Sequence, residues 1–380
     1  MHPTQLFLRD DSAESFPTTQ PRLSLLFAQT LREPLPNMQA LCSSQQSFNI
    51  AVPRIAVFFV LSLVTSVTAF ASSRPFEKTG RMSRSPLSAM VDDTTRESDC
   101  RNVLSEEQMQ TFDRDGVILV RGLVKGEELI AAIEQVKLIG MKKNAFSTSN
   151  YKNIEFQTWR TNNALKDVAI HSDVPKAAAQ LINRGSRKED REGPVRLLKD
   201  AVLCYSPGGL GCGWHVDDKY FWPCHDDSTG VNVWIALSPM SAARGGGLAV
   251  SPGSHKEKFA QDGIPIIQAG GTCGMETLAP QIHNKLEDMK VLYDMEPGDA
   301  IIHDRWLFHR SEKFNGIEDD DVVLNRYSIR YMPADARAFD NGYDEVYKDE
   351  KYKGMDGKQL KSFNGYYPQV FPTTIASEMV

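Results

Sequence analysis

Short apolar runs separated by turn signals predict the strands of this chain. Residues 231–237 form a continuous apolar run rich in β-branched side chains, which is typical of a strand buried on both faces. Residues 325–331 alternate instead, so that Arg326, Ser328 and Arg330 lie together on one side of a strand. Further strands are predicted at residues 117–124, 201–205 and 300–302, each next to a turn that contains Gly or Pro.

Helical signals lie mainly before these strands. Ser105 followed by Gln108 has the form of a capping box and predicts the start of a short helix. Residues 127–139 predict an amphipathic helix that covers a sheet, and Pro175 suits the first turn of another helix at 176–183. The apolar face of the amphipathic helix would consist of Leu129, Ile130, Ile133, Val136 and Ile139.

A histidine–carboxylate pair and a distant histidine form the most informative chemical pattern. His215 and Asp217 are two residues apart, so in a strand both side chains project to the same face, whereas Asp218 points away. His309 follows much later and would have to come from a strand that packs alongside. Two histidines and one carboxylate are the ligand set that holds Fe(II) on one face and leaves the opposite positions open. The pair alone is a weak signal, because the chain has eight histidines and many aspartates.

Further motifs follow one another in a fixed order around this pattern. The chain contains WIALSP, GGGLAVSPGSH, PGDAIIHDRWLFHRS and NRYSIRYMP, after an opening segment at residues 108–122. With these motifs, residues 105–333 resemble the phytanoyl-CoA dioxygenase family, one branch of the Fe(II)- and 2-oxoglutarate-dependent oxygenases. The resemblance implies a mainly β fold with flanking α-helices: a double-stranded β-helix, or cupin-like jelly roll, preceded by N-terminal helices.

The resemblance also implies a reaction and its cofactors. His215, Asp217 and His309 match the family's Fe(II) ligands, and 2-oxoglutarate and O2 would be the cosubstrates. The expected activity is that of a 2-oxoglutarate-dependent dioxygenase that oxidises a small-molecule metabolite and releases succinate and CO2. Asp217 argues against halogenation, because halogenating relatives replace this carboxylate with a small residue. Hydroxylation is the expected outcome, and desaturation and ring closure stay open as alternatives.

The distal carboxylate of 2-oxoglutarate needs a fixed fork of donors, which arginine supplies better than lysine. Ser311 and Trp234 match family positions that contact 2-oxoglutarate or line its pocket. The family's arginine lies early in the last strand, but here the segment 312–324 is lengthened and strict alignment places a leucine at the usual site. Arg326 and Arg330 can replace that arginine from one strand face, and we favour Arg326.

Several of these candidate site residues have a second interpretation. His303 is a second candidate for the distal ligand, although the serine after His309 and the aromatic run before it favour His309. Trp234 is equally consistent with core packing, and Arg330 with an ion pair to an acidic neighbour. Candidate substrate-side residues are Tyr205, Trp222, Gln157, Arg160 and Arg305.

Composition limits the expected partners. The chain has 380 residues, a formal net charge of −6 and no basic cluster interleaved with aromatic residues, which gives no reason to expect nucleic acid. The six cysteines show no metal-binding or disulfide spacing and are interpreted as mostly reduced thiols. We expect a small-molecule substrate and no stable membrane insertion of the mature form. Two rival functions are a cupin-like metalloenzyme without 2-oxoglutarate and a non-catalytic jelly-roll binding protein.

The first hundred residues have the composition of targeting segments. Residues 55–67 are apolar but shorter than a membrane span, the following stretch is rich in Ser and basic residues, and the junction at 68–71 resembles the Ala-Phe motif of bipartite plastid presequences. We interpret 1–37 as an untranslated or disordered extension before a working start at Met38, 38–69 as signal-peptide-like, 70–98 as transit-peptide-like or disordered, 99–335 as the dioxygenase domain, and 336–380 as a tail that packs on it. The expected location is a plastid of secondary origin, with the secretory pathway or endoplasmic reticulum as the alternative.

Overall fold

The computed structural model describes residues 102–141, 150–184, 193–217, 220–257, 275–316, 322–363 and 365–372. These residues lie in one compact unit that extends over Ser88–Val380. The predictions for residues 1–37, 38–69 and 70–98 fall outside the described residues and stay predictions. No helix among the described residues is long and apolar enough to cross a membrane.

Two antiparallel sheets form the centre of the domain. The strands are β1 (Val117–Val120), β2 (Asn153–Phe156), β3 (Val195–Tyr205), β4 (Val231–Ala236), β5 (Leu248–Val250), β6 (Ala300–Asp304), β7 (His309–Ser311), β8 (Leu324–Pro333) and β9 (Gln369–Phe371). The large sheet has the order β1-β6-β4-β8-β3-β2, with β9 paired to β3, and the small sheet consists of β5 and β7. Single bridges add His215 to β7 and Val291 to β5. The order is non-sequential, so segments distant along the chain become neighbours.

Strand β3 is longer than its hydrophobic pattern predicts. All eleven residues of Val195–Tyr205 are buried, although Arg196, Lys199 and Asp200 interrupt the apolar run. Each of these polar side chains has a partner: Arg196 donates to the carbonyl of Tyr367, Lys199 pairs with an aspartate, and Asp200 accepts from a threonine hydroxyl. The predicted strand at 201–205 was therefore too short. Charged residues in a sequence indicate a loop, but here they are buried within the strand because each has a partner.

The described helices are α1 (Glu106–Asp115), α2 (Gly126–Gly140), α3 (Asn163–Lys166), α4 (Val174–Ile182), α5 (Met275–Leu278) and α6 (Pro280–Asp288). Short 3-10 turns occur at Thr158–Arg160, Ser254–Lys256, Glu345–Lys348 and Leu360–Ser362, and a π-helical turn at Asp167–His171.

Helices α1, α2 and α4 form where the sequence predicts them. Ser105 and Gln108 make the complete capping box at the start of α1, and Pro175 lies in the first turn of α4. In α2 the buried stripe is Ala132, Val136 and Ile139. The predicted apolar face was wrong at Ile130, which is 59% exposed. The helix turns the small side chain of Ala132 toward the sheet instead, which leaves Ile130 on the outer side.

The C-terminal segment after β8 packs against the large sheet. Its apolar side chains form a separate core cluster with Leu198, Trp222, Cys224 and Met332. The members contributed by the segment include Val346, Tyr352, Leu360, Phe363 and Tyr367. A buried ion pair between Lys199 and Asp344, with a nitrogen–oxygen distance of 2.9 Å, ties the segment to β3.

Removal of the Asp344 carboxylate should destabilise the domain strongly. The side chains of Lys199 and Asp344 are only 3% and 6% exposed, so Asp344→Ala leaves a buried ammonium without its counter-charge. The expected loss is about 3–5 kcal/mol in the free energy of unfolding, measured by urea denaturation. Glu350→Ala is the control, because it breaks the exposed Lys353–Glu350 pair and should change the stability little. Equal effects of the two substitutions would contradict this account.

Candidate metal centre

The main chain places His215 and His309 directly opposite each other. The amide of each histidine donates to the carbonyl of the other, with both N–O distances at 3.0 Å. The two residues therefore form an antiparallel bridge, and their side chains project to the same side. Their ring centroids lie 4.3 Å apart. The sequence predicts that His309 lies in a strand packed beside His215. That strand is β7, and His309 itself pairs with His215.

Asp217 completes a compact triad with these histidines. Its Oδ1 lies 3.6 Å from His215 Nε2 and 3.5 Å from His309 Nε2. One ligand atom from each residue lies within 4.8 Å of the other two. Among the described residues, no other group of three or more His, Cys, Asp or Glu side chains is arranged so that it could hold a metal ion. All three side chains are buried.

Hydrogen bonds orient both imidazoles for metal binding. Nδ1 of His215 donates to the carbonyl of Gly213 at 2.7 Å, and Nδ1 of His309 donates to the carbonyl of Leu307 at 3.0 Å. Each Nε2 is therefore left with its lone pair directed toward the triad. Such bonds to the second ring nitrogen are the usual support of a metal-binding histidine. Two nitrogen donors and one carboxylate oxygen fit Fe(II) with open positions.

The electrostatics of the triad also suit a cation. Burial alone would raise the pKa of Asp217, but the charge of Arg330 and the contacts with His215 and His309 outweigh it and hold this pKa well below its usual range. Burial, together with the charge of His215, lowers the pKa of His309. An ionised carboxylate and a neutral imidazole are the protonation states that bind metal.

Two side chains hold the second oxygen of Asp217 through three N–H groups. Arg330 approaches Oδ2 from its Nε at 3.1 Å and its Nη2 at 2.8 Å. The indole Nε1 of Trp222 donates to the same oxygen at 3.1 Å. The structure thus places Arg330 against a metal-ligand candidate, as the ion-pair interpretation of this residue expected. Trp222, predicted on the substrate side, contacts the triad directly.

Arg326 occupies a different, aromatic environment on the same face of β8. It is 1% exposed, and its guanidinium carbon lies 4.6 Å from the ring centroid of Tyr205 and 5.3 Å from that of Trp234. Nη2 donates to the carbonyl of Gly246, whereas Nε has no hydrogen-bond partner in the described part of the chain. Burial lowers the pKa of Arg326. A buried cation with a vacant donor and no carboxylate partner among the described residues is suited to an anionic ligand.

Ser311 and Tyr151 stand at the edge of this aromatic environment. Their hydroxyl oxygens are 2.8 Å apart, and the Tyr151 ring centroid lies 6.0 Å from the guanidinium carbon of Arg326. Gly211 permits the preceding loop to approach, because a Cβ there would lie 2.6 Å from the Cβ of Ser311. The sequence analysis missed Tyr151, which lies outside every recognised motif.

His303 does not join the triad. Its Nδ1 donates to the carbonyl of Asp304 at 2.8 Å, and its Nε2 accepts from Asn232 at 3.0 Å. Both ring nitrogens are therefore occupied within the protein. Burial, with the nearby charge of His309, lowers the pKa of His303 to about 3. The ring is a neutral core side chain beside the centre.

Three of the remaining substrate-side candidates form hydrogen bonds with loop and turn residues and not with the triad. Arg305 donates to the carbonyls of His225 and Ser228. Arg160 donates to the carbonyl of Tyr366 and stacks on that residue's ring at 3.9 Å. Gln157 accepts from the indole of Trp159. None of the described contacts joins Arg305, Arg160 or Gln157 to the triad, while Tyr205 lies beside Arg326.

Comparison with known proteins gives the family. The family model described as phytanoyl-CoA dioxygenase matches residues 112–315, which is more than half of the chain. The chain belongs to the phytanoyl-CoA dioxygenase family. The family predicted from the sequence is thereby confirmed. The match includes the triad and ends before β8, so Arg326 and Arg330 lie beyond the matched residues.

Relatives of this phytanoyl-CoA dioxygenase family member are distant. An ectoine dioxygenase of Nocardia farcinica (strain IFM 10152) is 27% identical over 163 residues, which cover 40% of this chain and 51% of that relative. The match thus spans about half the length of this relative.

Solved structures support the fold. The non-heme alpha ketoglutarate dependent carbocyclase SnoK from nogalamycin biosynthesis has a TM-score of 0.53 at 20% identity and covers 70% of this chain and 97% of its own. The epimerase SnoN, in complex with Fe3+, alpha ketoglutarate and nogalamycin RO, has a TM-score of 0.51 at 20% identity, with coverages of 70% and 98%. The jelly-roll fold predicted for this family member is confirmed.

The two histidines His309 and His303 can be distinguished by metal binding. His309→Ala should abolish stoichiometric binding of Fe(II) after anaerobic loading, because the triad loses one of its three donors. His303→Gln should retain it, because both nitrogens of His303 are occupied by protein groups. Metal analysis of the desalted proteins checks both outcomes. Loss of binding only in His303→Gln would show that the distal ligand was misassigned.

Proposed function

We propose that this protein is an Fe(II)- and 2-oxoglutarate-dependent dioxygenase that hydroxylates a small-molecule metabolite and releases succinate and CO2. The observation that carries the proposal is the combination of two features. One is the buried triad of His215, Asp217 and His309, and the other is the buried cation of Arg326, which has no carboxylate partner among the described residues. The first suits a ferrous ion, and the second suits the distal carboxylate of the cosubstrate.

The triad residues would hold the iron through His215 Nε2, His309 Nε2 and Asp217 Oδ1. Iron with 2-oxoglutarate and O2 supplies the oxidising chemistry, and the protein supplies binding, orientation and exclusion of water. The main-chain pair between the histidines and the two donors on Asp217 Oδ2 fix these ligand atoms before any metal binds. Preorganisation of this kind favours metal binding because the ligands lose little freedom.

The cosubstrate would bind next to Arg326. The guanidinium offers its vacant Nε–H to a carboxylate, and a charge-assisted bond of this kind is stronger inside a protein than in water. Ser311 and Tyr151 contribute hydroxyl groups close to the same place. Trp234 and Tyr205 form its aromatic walls. This arrangement supports Arg326 over Arg330 as the residue that grips 2-oxoglutarate, since Arg330 already pairs with Asp217.

The rival functions predict different behaviour. A cupin-like metalloenzyme without 2-oxoglutarate would have no need for an unpaired buried arginine, and it would retain metal-dependent activity without the cosubstrate. A non-catalytic binding protein would have no need for three correctly oriented ligands. Asp217 also supports hydroxylation over halogenation, because a carboxylate occupies the position that a halide would need.

We also propose that residues 38–98 direct the protein to a plastid of secondary origin. The support is the signal-like apolar run followed by a Ser-rich, basic stretch in the sequence. A fluorescent fusion of residues 38–90 should accumulate in plastids. Retention in the cytosol would contradict the proposal, and delivery to the endoplasmic reticulum would favour the secretory alternative.

Succinate formation should depend on the triad. His215→Ala and Asp217→Ala should each abolish 2-oxoglutarate-dependent succinate release, because each removes one metal ligand candidate. His283→Ala is the control, since this histidine lies on α6 and contacts only Glu287 at 3.9 Å among the described ion pairs. Succinate is quantified with Fe(II), 2-oxoglutarate and O2 present. Equal succinate release by Asp217→Ala and the wild type would refute the proposed metal centre.

The cosubstrate requirement should depend on Arg326. Arg326→Ala should raise the 2-oxoglutarate concentration needed for half-maximal succinate release by about 10- to 100-fold, because a hydrogen bond to a charged group contributes about 1.5–3 kcal/mol. Arg326→Lys should fall between the alanine variant and the wild type, because it keeps the charge without the fork. If Arg330→Ala alone raises this requirement, the assignment of Arg326 is wrong.

A further inference from the structure

The geometry points to Arg330 and Trp222 as positioning residues that hold Asp217 in a one-oxygen binding mode and thereby set the affinity of the centre for metal. The inference rests on the proposed metal site and extends it to two residues that touch no cosubstrate. Both side chains reach the triad through a single atom, Asp217 Oδ2.

Three N–H groups converge on that one oxygen. Arg330 contributes Nε and Nη2, at 3.1 and 2.8 Å, and Trp222 contributes Nε1 at 3.1 Å. Both donor side chains and the carboxylate are buried, so water does not compete for Oδ2. With Oδ2 saturated by donors, the carboxylate cannot rotate to offer both oxygens to one ion. Oδ1 alone faces the two imidazoles, at 3.6 and 3.5 Å.

The hydrogen bonds of Arg330 differ from those of other buried arginines in this protein. Arg196 donates to a main-chain carbonyl of the C-terminal segment, and Arg305 donates to two loop carbonyls and to the half-exposed carboxylate of Asp226; such contacts hold the fold together. Arg330 instead directs its two bonded nitrogens to Asp217, and its Nη1 has no hydrogen-bond partner in the described part of the chain. Its role is therefore centred on the carboxylate rather than on joining segments.

The two donor side chains reach Asp217 from different segments of the chain. Arg330 projects from β8, in the large sheet, where it lies opposite Asn232 of β4. Trp222 is anchored in the core cluster formed with the C-terminal segment, among side chains such as Tyr367 and Phe363. The carboxylate is thus fixed between the sheet and the tail, and both β8 and the tail lie beyond the residues 112–315 that match the family.

This arrangement keeps coordination positions available. A carboxylate that binds through one oxygen occupies one position on the metal, whereas a chelating carboxylate occupies two. Donors to the outer oxygen of a metal-binding carboxylate typically change metal affinity or activity by about 10- to 100-fold when removed. Arg330 and Trp222 are therefore expected to influence both how tightly the ion binds and how many positions remain for the cosubstrate.

The test measures Co(II) binding to the full-length protein without turnover. Trp222→Phe removes the indole N–H and keeps an aromatic ring in the tail cluster, and Arg330→Lys keeps the charge and removes the paired donors. Each should weaken Co(II) binding by about 10- to 100-fold in calorimetric titration. Trp159→Phe and Arg196→Lys are matched controls, because they alter a buried indole N–H and a buried guanidinium that do not contact Asp217. Their Co(II) affinity should equal that of the wild type.

A spectroscopic readout separates positioning from general destabilisation. The d–d absorption of bound Co(II) reports its coordination, so Trp222→Phe and Arg330→Lys should shift this spectrum, whereas the controls should not. Unaltered Co(II) affinity and spectrum in both variants would overturn the inference and leave the proposed function intact. Absence of Co(II) binding by the wild type, or binding that persists in Asp217→Ala, would instead refute the metal centre itself.

Discussion

The site depends on one main-chain interaction, the reciprocal pair of hydrogen bonds between His215 and His309. These residues are far apart in the sequence, and the antiparallel bridge makes them direct neighbours. Asp217, two residues further along, then needs only the local chain direction to bring its Oδ1 to both imidazoles. A backbone bridge of this kind holds two ligands without any cost in side-chain packing. It also explains why the small sheet carries the chemistry while the large sheet supplies charge and enclosure.

Strand β8 of the large sheet carries two buried arginines. Arg330 and Arg326 lie on the same face, yet their surroundings differ. Arg330 neutralises Asp217 and is fixed by it, whereas Arg326 is surrounded by Tyr205 and Trp234 and its Nε has no partner among the described residues. A buried charge without a counter-ion is costly unless a ligand pairs with it. The face thus contains one arginine that pairs with Asp217 and one that, under the proposed function, would bind an anion.

Local patterns predicted much of this from the sequence alone. The capping box of α1, the apolar run of β4 and the alternation of β8 each formed the expected element. The order of motifs indicated the family, and the spacing of His215 and Asp217 indicated the ligand set. The extent of β3 and the exposure of Ile130 were not predictable in this way, because both depend on partners that only the tertiary fold supplies.

Non-local contacts account for what the sequence could not show. Tyr151 lies in no motif, and only folding brings its hydroxyl to Ser311. The roles of Arg326 and Arg330 could not be separated from composition, because among the described residues only Arg330 of the two pairs with a carboxylate. The same holds for Trp222, whose indole meets Asp217 only because the C-terminal segment packs behind it. The alternation of residues along a strand predicts which side chains share a face. The contacts that those side chains make with other segments determine the role of each one.

The most direct measurement is an anomalous-difference map of crystals loaded with Fe(II) without oxygen. The account predicts one strong peak bonded to His215 Nε2, His309 Nε2 and Asp217 Oδ1, with Asp217 Oδ2 still held by Arg330 and Trp222. A peak elsewhere, or one coordinated by His303 in place of His309, would contradict the claim that these three side chains share a single ion.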